Sequence, residues 1–217
     1  ADYTHNYKVS KPLPTQLTCA HLGVLDCLEL AGEGASAWVF RALGPMGPVG
    51  VKLAREPASA DLLRVEAFAR AVATSGGPLD GGHWHGNPFL VFAWVSGTSL
   101  RVWLERHRAV PPTPAHARTC FETLQRDLVT SLARLHAVGF RHGDIKPDNI
   151  VIRDDGAGAA LVDLGLASPF GAPLRGGTPA YLPPELALSR SAEVVLGPEA
   201  DVYALGRVLS EVREELG

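Results

Sequence analysis

Two short segments of the chain concentrate the side chains that chemistry needs. Arg141-His142-Gly143-Asp144-Ile145-Lys146-Pro147-Asp148-Asn149 gathers carboxylates, an amine and an amide, and Asp163-Leu164-Gly165 brings another carboxylate after an intervening hairpin pattern. Upstream, Gly32-Glu33-Gly34-Ala35-Ser36-Ala37-Trp38-Val39 is a glycine turn between two strand-like runs, where backbone N–H groups can approach phosphate oxygens with no Cβ in the way. Taken singly, such a turn more often serves backbone geometry. Lys52 lies between Val51 and Leu53 on the following strand, and Glu66 on the next helix; alone they read as an outward-facing strand lysine and a solvated helix face. Only four lysines occur, Lys8, Lys11, Lys52 and Lys146, so half of them fall in these segments.

The elements that must position these groups follow from periodicity. Residues 1–19 are polar and proline-containing, an arm or an early edge strand. From Leu22 to Ala54 short apolar runs and Gly/Pro turns, one of them spanning Leu43 to Pro48, predict a β-meander. Ser59 caps a helix to about Ala73, with Leu62, Val65, Ala69 and Val72 at helical spacing. Phe89 to Val95 is an apolar strand, after which the pattern turns helical. Thr113 to Val138 reads as one long helix with Phe121, Leu124, Leu128, Leu132 and Leu135 on its buried stripe. Ile150–Ile152 and Ala160–Val162 flank Asp154-Asp155-Gly156 as a hairpin, residues 165–184 read as loop, and Asp201 to Leu216 as a helix.

Composition bounds the class. The chain has 217 residues, 46% hydrophobic and 20% charged, which excludes a disordered tail, a coiled coil and a collagen repeat. A net charge of -3 gives no footprint for nucleic acid, no apolar run approaches the length of a membrane span, and no signal peptide opens the chain, so a cytoplasmic character is expected. Cys19, Cys27 and Cys120 lack zinc spacing and read as reduced thiols. His83-Trp84-His85 reads as a surface turn in a Gly/Pro-rich loop, not as a metal site.

In order along the chain, GEGASAWV, VGVK, HGDIKPDN, DLG and GTPAYLPPE resemble the motifs of the protein kinase family, in its eukaryotic-like serine/threonine branch, over about Leu22 to Leu216. An Ala- and Gly-rich, lysine-poor composition suggests a bacterial member. The resemblance implies an α+β, two-lobed fold: an N-lobe at 20–95 with an antiparallel sheet and one helix, and a mainly helical C-lobe at 96–217, short or minimal after its central helix. It further implies ATP with Mg²⁺ or Mn²⁺ and a protein substrate. By the same resemblance Gly32 and Gly34 cover the phosphates, Lys52 contacts them while paired to Glu66, and Asp163 and Asn149 hold metal. Asp144 accepts the proton of the substrate hydroxyl and Lys146 neutralises charge on the γ-phosphate. Phe92, Ala93, Trp94 and Val95 form the hinge against adenine, with Phe92 restricting the back pocket, and Val39 and Val151 sandwich the ring. Lys146 and Thr178 match the Ser/Thr branch.

Several positions depart from the family pattern. Gly143 replaces the arginine that reads an activation-loop phosphate, so that control is expected to be absent. Ala37 replaces the third glycine, Leu164 the usual phenylalanine, and Gly50 an alanine, which is expected to leave room above adenine. Arg70, one turn after Glu66, stands where an apolar residue is usual. Two alternatives remain: a pseudokinase scaffold, and a small-molecule phosphotransferase of the aminoglycoside or choline kinase type, whose catalytic loop also begins HGD. The polar end of the last helix favours a naturally minimal C-lobe over a fragment, with Glu185 lacking its usual arginine and a partner chain or further domain completing the lobe.

Overall fold

The structure, a computed structural model, describes residues 13–73, 77–156, 158–173, 175–187 and 196–216. Alternating apolar and polar residues produce six strands in its first half: β1 (Gln16–Cys19), β2 (Gly23–Glu33), β3 (Ala37–Gly44), β4 (Gly47–Ala54), β5 (Asp80–Trp84) and β6 (Asn87–Ala93). They pair antiparallel in the order β1-β2-β3-β4-β6-β5 around Leu17, Leu25, Phe40, Val51, Leu53, Phe89 and Val91. Every residue of β4 from Val49 to Ala54 is buried, because the strand is central and covered on both faces. Lys52 is therefore an interior lysine and not an outward-facing one. The sheet reaches back to Gln16, so the part of residues 1–19 that is described includes an edge strand; residues 1–12 lie outside the described residues. The His83-Trp84-His85 segment is not a loop: His83 and Trp84 end β5, and His85-Gly86 is the tight turn into β6. Among the described residues no group of three or more His, Cys, Asp or Glu could hold a metal.

Helix α1 (Ala60–Ala73) crosses behind the sheet after a 3₁₀ turn at Pro57–Ser59. Its buried residues are Leu63, Glu66, Ala69, Arg70 and Ala73, so the inward face is rotated from the expected stripe of Leu62, Val65 and Val72. The apolar pattern misplaces it because an ion pair, not a hydrocarbon, occupies the middle of that face. Cys19 and Cys27 are free, and burial pushes each thiol up to about 11, as an unreactive thiol requires.

The chain crosses below the sheet after Ala93 to β7 (Gly97–Ser99), α2 (Leu100–Ala109), α3 (Pro114–Ala137) and β8 (Phe140–Arg141). The Ser99 hydroxyl accepts from Val102 N–H at the start of α2, and the Thr113 hydroxyl accepts from His116 N–H at the start of α3, where Pro114 occupies the first turn. Then follow β9 (Ile150–Arg153), β10 (Ala159–Leu161), β11 (Ser168–Pro169), α4 (Pro184–Ala187) and α5 (Glu199–Leu216). Leu124, Leu128 and Leu132 of α3 pack with Leu100, Leu104, Ile145, Ile150, Leu205, Val208 and Val212 in one core. At about 2 kcal/mol per buried leucine this core is the rigid mass from which the loops of residues 142–149 and 162–167 hang. No helix among the described residues is long and apolar enough to cross a membrane.

Candidate active site

The site forms where β4, α1 and the loops after β8 and β10 meet. Lys52 Nζ lies 2.8 Å from Glu66 Oε2 and 2.7 Å from Asp163 Oδ1. Burial alone would lower the Lys52 pKa, but the two carboxylates outweigh it and raise it. Burial likewise opposes ionisation of Asp163, and Lys52, His142 and the Gly165 N–H together bring its pKa below the usual carboxylate value. Asp163 holds left-handed backbone, φ 56°, uncommon outside glycine and tolerated by aspartate. The other oxygen of Glu66, Oε1, accepts from Arg70 Nη2 at 2.7 Å and Nε at 3.1 Å. One carboxylate, 1% exposed, thus serves two cations.

Across the cleft, Asp144 Oδ1 accepts from the Thr178 hydroxyl at 2.8 Å, and Oδ2 accepts from Lys146 Nζ at 2.7 Å and Asn149 Nδ2 at 3.1 Å. Lys146 Nζ also donates to Thr178 Oγ1 at 3.0 Å, which ties the loop of residues 142–149 to the segment 178–185. The loop itself hangs on Asp201, the third residue of α5. Its carboxylate accepts from His142 N–H at 2.7 Å, Gly143 N–H at 2.9 Å and His136 Nε2 at 2.9 Å. Burial raises the pKa of Asp201, but these donors and the nearby His142 prevail and lower it. Its carboxylate therefore contributes stability that is fully present above about pH 3.8 and is lost as pH falls through the lower folded-state value. Asp201→Asn is expected to cost about 2–3 kcal/mol at pH 7, with the gap to the parent chain closing below that pH; urea unfolding at stepped pH measures it.

Two adjoining cavities line the cleft. The outer, about 420 Å³, is walled by Gly32 to Ala37, Val39, Lys52, Asp144, Asp163 and Gly165. The inner, about 260 Å³, is walled by Gly32, Val39, Arg70, Phe92 to Val95, Asn149, Val151 and Asp163. Every residue proposed for nucleotide or metal from the sequence lines one of the two except Glu66, which stands behind Lys52. Lys146 stands on the far side of Asp144, toward Thr178. Asn149 commits its amide nitrogen to Asp144, also donating to the Asp144 carbonyl at 2.8 Å, and this leaves its carbonyl oxygen to pair with the Asp163 carboxylate as donors. An all-oxygen donor set of this kind suits Mg²⁺ or Mn²⁺. The glycine turn is braced by Arg55, whose Nε donates to Gly34 O at 2.8 Å while the guanidinium lies 4.4 Å over Trp38.

The room expected from Gly50 is not available to adenine. A Cβ on Gly50 would fall 2.1 Å from Cε2 of Phe92, so the phenyl ring already fills that space, with the Arg70 guanidinium 3.9 Å from its centroid on another side. This cation–π contact is what replaces the apolar residue expected at position 70. Gly50→Ala is expected to displace Phe92 and cost about 1–3 kcal/mol. Phe92→Leu in the same chain should recover most of that loss, whereas additive losses in a double-mutant unfolding cycle would contradict the stack.

Sequence reasoning missed Arg55, His136 and Arg101. Arg101 Nη2 donates to Asp148 and to the Tyr181 hydroxyl, each at 3.1 Å, and Nη1 to Glu211 at 3.3 Å; these partners lie up to 110 residues away, beyond any local pattern.

The protein kinase domain family matches residues 79–215. Serine/threonine-protein kinase PkaB of Streptomyces coelicolor is 34% identical over 208 residues, covering 85% of this chain and 47% of its own length. Serine/threonine-protein kinase PknL of Mycobacterium tuberculosis is 33% identical over 196 residues, covering 83% and 46%. The probable serine/threonine-protein kinase PkwA of Thermomonospora curvata is 34% identical over 205 residues, covering 87% and 26%. The chain spans about half the length, or less, of these curated relatives. Matched over most of its length, and with the paired lysine and the two aspartates set across one cleft, the chain belongs to the protein kinase domain family.

Proposed function

We propose that the chain is the catalytic domain of an ATP-dependent serine/threonine protein kinase that needs no phosphate on its own activation segment. The observation that carries this reading is the Asp144 carboxylate bracketed by Lys146 and Thr178, facing a cleft whose opposite wall holds the Lys52–Glu66 pair. A substrate hydroxyl beside Asp144 gives its proton to that carboxylate as its oxygen bonds to the γ-phosphorus of ATP. The bond from that phosphorus to the β–γ bridging oxygen breaks, and ADP leaves with the electron pair. Lys146 offsets negative charge on the moving phosphoryl group, and Lys52 holds the α- and β-phosphates. Val39 and Val151 are placed to enclose adenine at the backbone of residues 92–95. Asp163 and Asn149 would hold Mg²⁺ or Mn²⁺, whose charge would neutralise the phosphates.

The contact of Lys146 with Thr178 favours a peptide substrate over a small molecule, because it joins the catalytic loop to an extended surface at residues 178–185. Helix α5 exposes Val202 (59%) and Tyr203 (39%). The test is transfer from γ-labelled ATP with protein, aminoglycoside and choline offered as separate acceptors, followed by phosphoamino-acid analysis. Label on phosphoserine and phosphothreonine is expected. Label on a small acceptor alone supports the small-molecule reading, and ATP binding without transfer supports a pseudokinase.

A further inference from the structure

The catalytic loop lacks one arginine and carries another. At Gly143 the backbone has φ +84°, and a Cβ there would lie 2.8 Å from the Leu166 carbonyl oxygen, so the position cannot carry a cationic side chain without strain. Two residues earlier Arg141, in β8 opposite Ser168 of β11, is 1% exposed. Its Nη1 donates to Leu196 O at 2.8 Å, and its Nη2 to Ala172 O at 3.0 Å and Pro173 O at 2.9 Å. All three acceptors are main-chain carbonyls. Ala172 and Pro173 belong to the activation segment, the run from Asp163 to Glu185, while Leu196 leads into α5, so one side chain fastens the segment to the approach of α5.

The same corner is closed by backbone bonds from Phe170 N–H to Gly139 O at 2.7 Å and from Gly171 N–H to Leu196 O at 3.0 Å. The two aliphatic hydroxyls between residues 165 and 182 are not offered to a modifying enzyme. Ser168 is 2% exposed, and the hydroxyl of Thr178 is held by Asp144 and Lys146.

We propose that Arg141 is a positioning residue that sets the activation segment in its substrate-accepting course as soon as the chain folds, its carbonyl contacts standing in for an activating phosphate. An arginine that reads a phosphate finds its acceptors only after a modification, whereas Arg141, whose two Nη groups already donate to carbonyls while its buried Nε has no partner among the described residues, needs no event. The planar fork of donors suits three acceptors in two directions, and a lysine ammonium at the same place reaches fewer of them. This inference rests on the protein kinase reading above.

The experiment compares the full chain, treated with phosphatase, as parent, Arg141→Lys and Arg141→Met. It measures ATP affinity, kcat/KM for a protein substrate, and hydrogen exchange of the Phe170 and Gly171 amides, the last needing no turnover. Phosphatase is expected to change transfer by the parent chain less than about 2-fold. Arg141→Met is expected to lower kcat/KM for the protein substrate about 10-fold or more and to speed exchange at those amides similarly, with ATP Kd within about 2-fold and α3 protection kept. Arg141→Lys falls between. The proposal is overturned if phosphatase abolishes transfer by the parent chain, or if Arg141→Met leaves exchange and kcat/KM unchanged. It is equally overturned if ATP Kd and α3 protection worsen in step with them, since that marks a general loss of structure. A parent chain that transfers no phosphate, yet whose Phe170 and Gly171 amides lose protection in Arg141→Met, keeps the anchoring role and refutes the kinase reading.

Discussion

Asp144→Asn is expected to bind ATP as tightly as the parent chain and to transfer its phosphate about 10³-fold more slowly. The substitution keeps the shape of the side chain and most of its contacts. The asparagine oxygen can still accept from Lys146 and Asn149, and its amide nitrogen can donate to the Thr178 hydroxyl where Asp144 accepts from it. What disappears is the carboxylate that, under the proposed function, takes the proton from the acceptor hydroxyl. Melting temperature and nucleotide affinity should therefore stay near parental values while kcat falls, the pattern of an interaction made only in the transition state. Turnover within ten-fold of the parent chain would remove Asp144 from its assigned role.

Lys52→Met is expected to lower kcat/KM for ATP about 10²-fold and to leave the fold intact. In most settings removal of one partner from a buried ion pair leaves a naked charge and unfolds the protein by several kcal/mol. Here Glu66 keeps the Arg70 guanidinium on its second oxygen, so the buried carboxylate remains neutralised. Asp163 is the group that loses its cation, and its carboxyl is half exposed to the cleft, where water can take over. A loss of activity without a loss of melting temperature separates this arrangement from one in which Lys52 is a structural lysine.

The residues of the candidate site were legible because their types recur at short spacing: Asp144, Lys146 and Asn149 share one loop, and Asp163 follows one hairpin later. The long helix was legible from its leucines, and Leu124, Leu128, Leu132 and Leu135 lie on its buried stripe with Ala117, whereas Phe121, also expected there, is only partly buried against the core. Other features were hidden for physical reasons. The inward face of α1 carries Glu66 and Arg70, and an apolar pattern cannot reveal a face stabilised by an internal ion pair. Helix α2 escaped because Arg101, Glu105, Arg106 and Arg108 outnumber its two buried leucines, Leu100 and Leu104. The space at Gly50 was misjudged because a ring 42 positions along the chain fills it, and Arg141 escaped because its acceptors are carbonyls, which have no residue identity.

The most direct measurement of the central claim is Mg²⁺-dependent transfer of labelled γ-phosphate from ATP to a protein substrate by phosphatase-treated parent chain, run beside Asp144→Asn with ATP binding recorded for both. The expected result is labelled phosphoserine or phosphothreonine from the parent chain alone, with both proteins binding ATP. Equal labelling by the two proteins, or silence from both while each binds ATP, would contradict it.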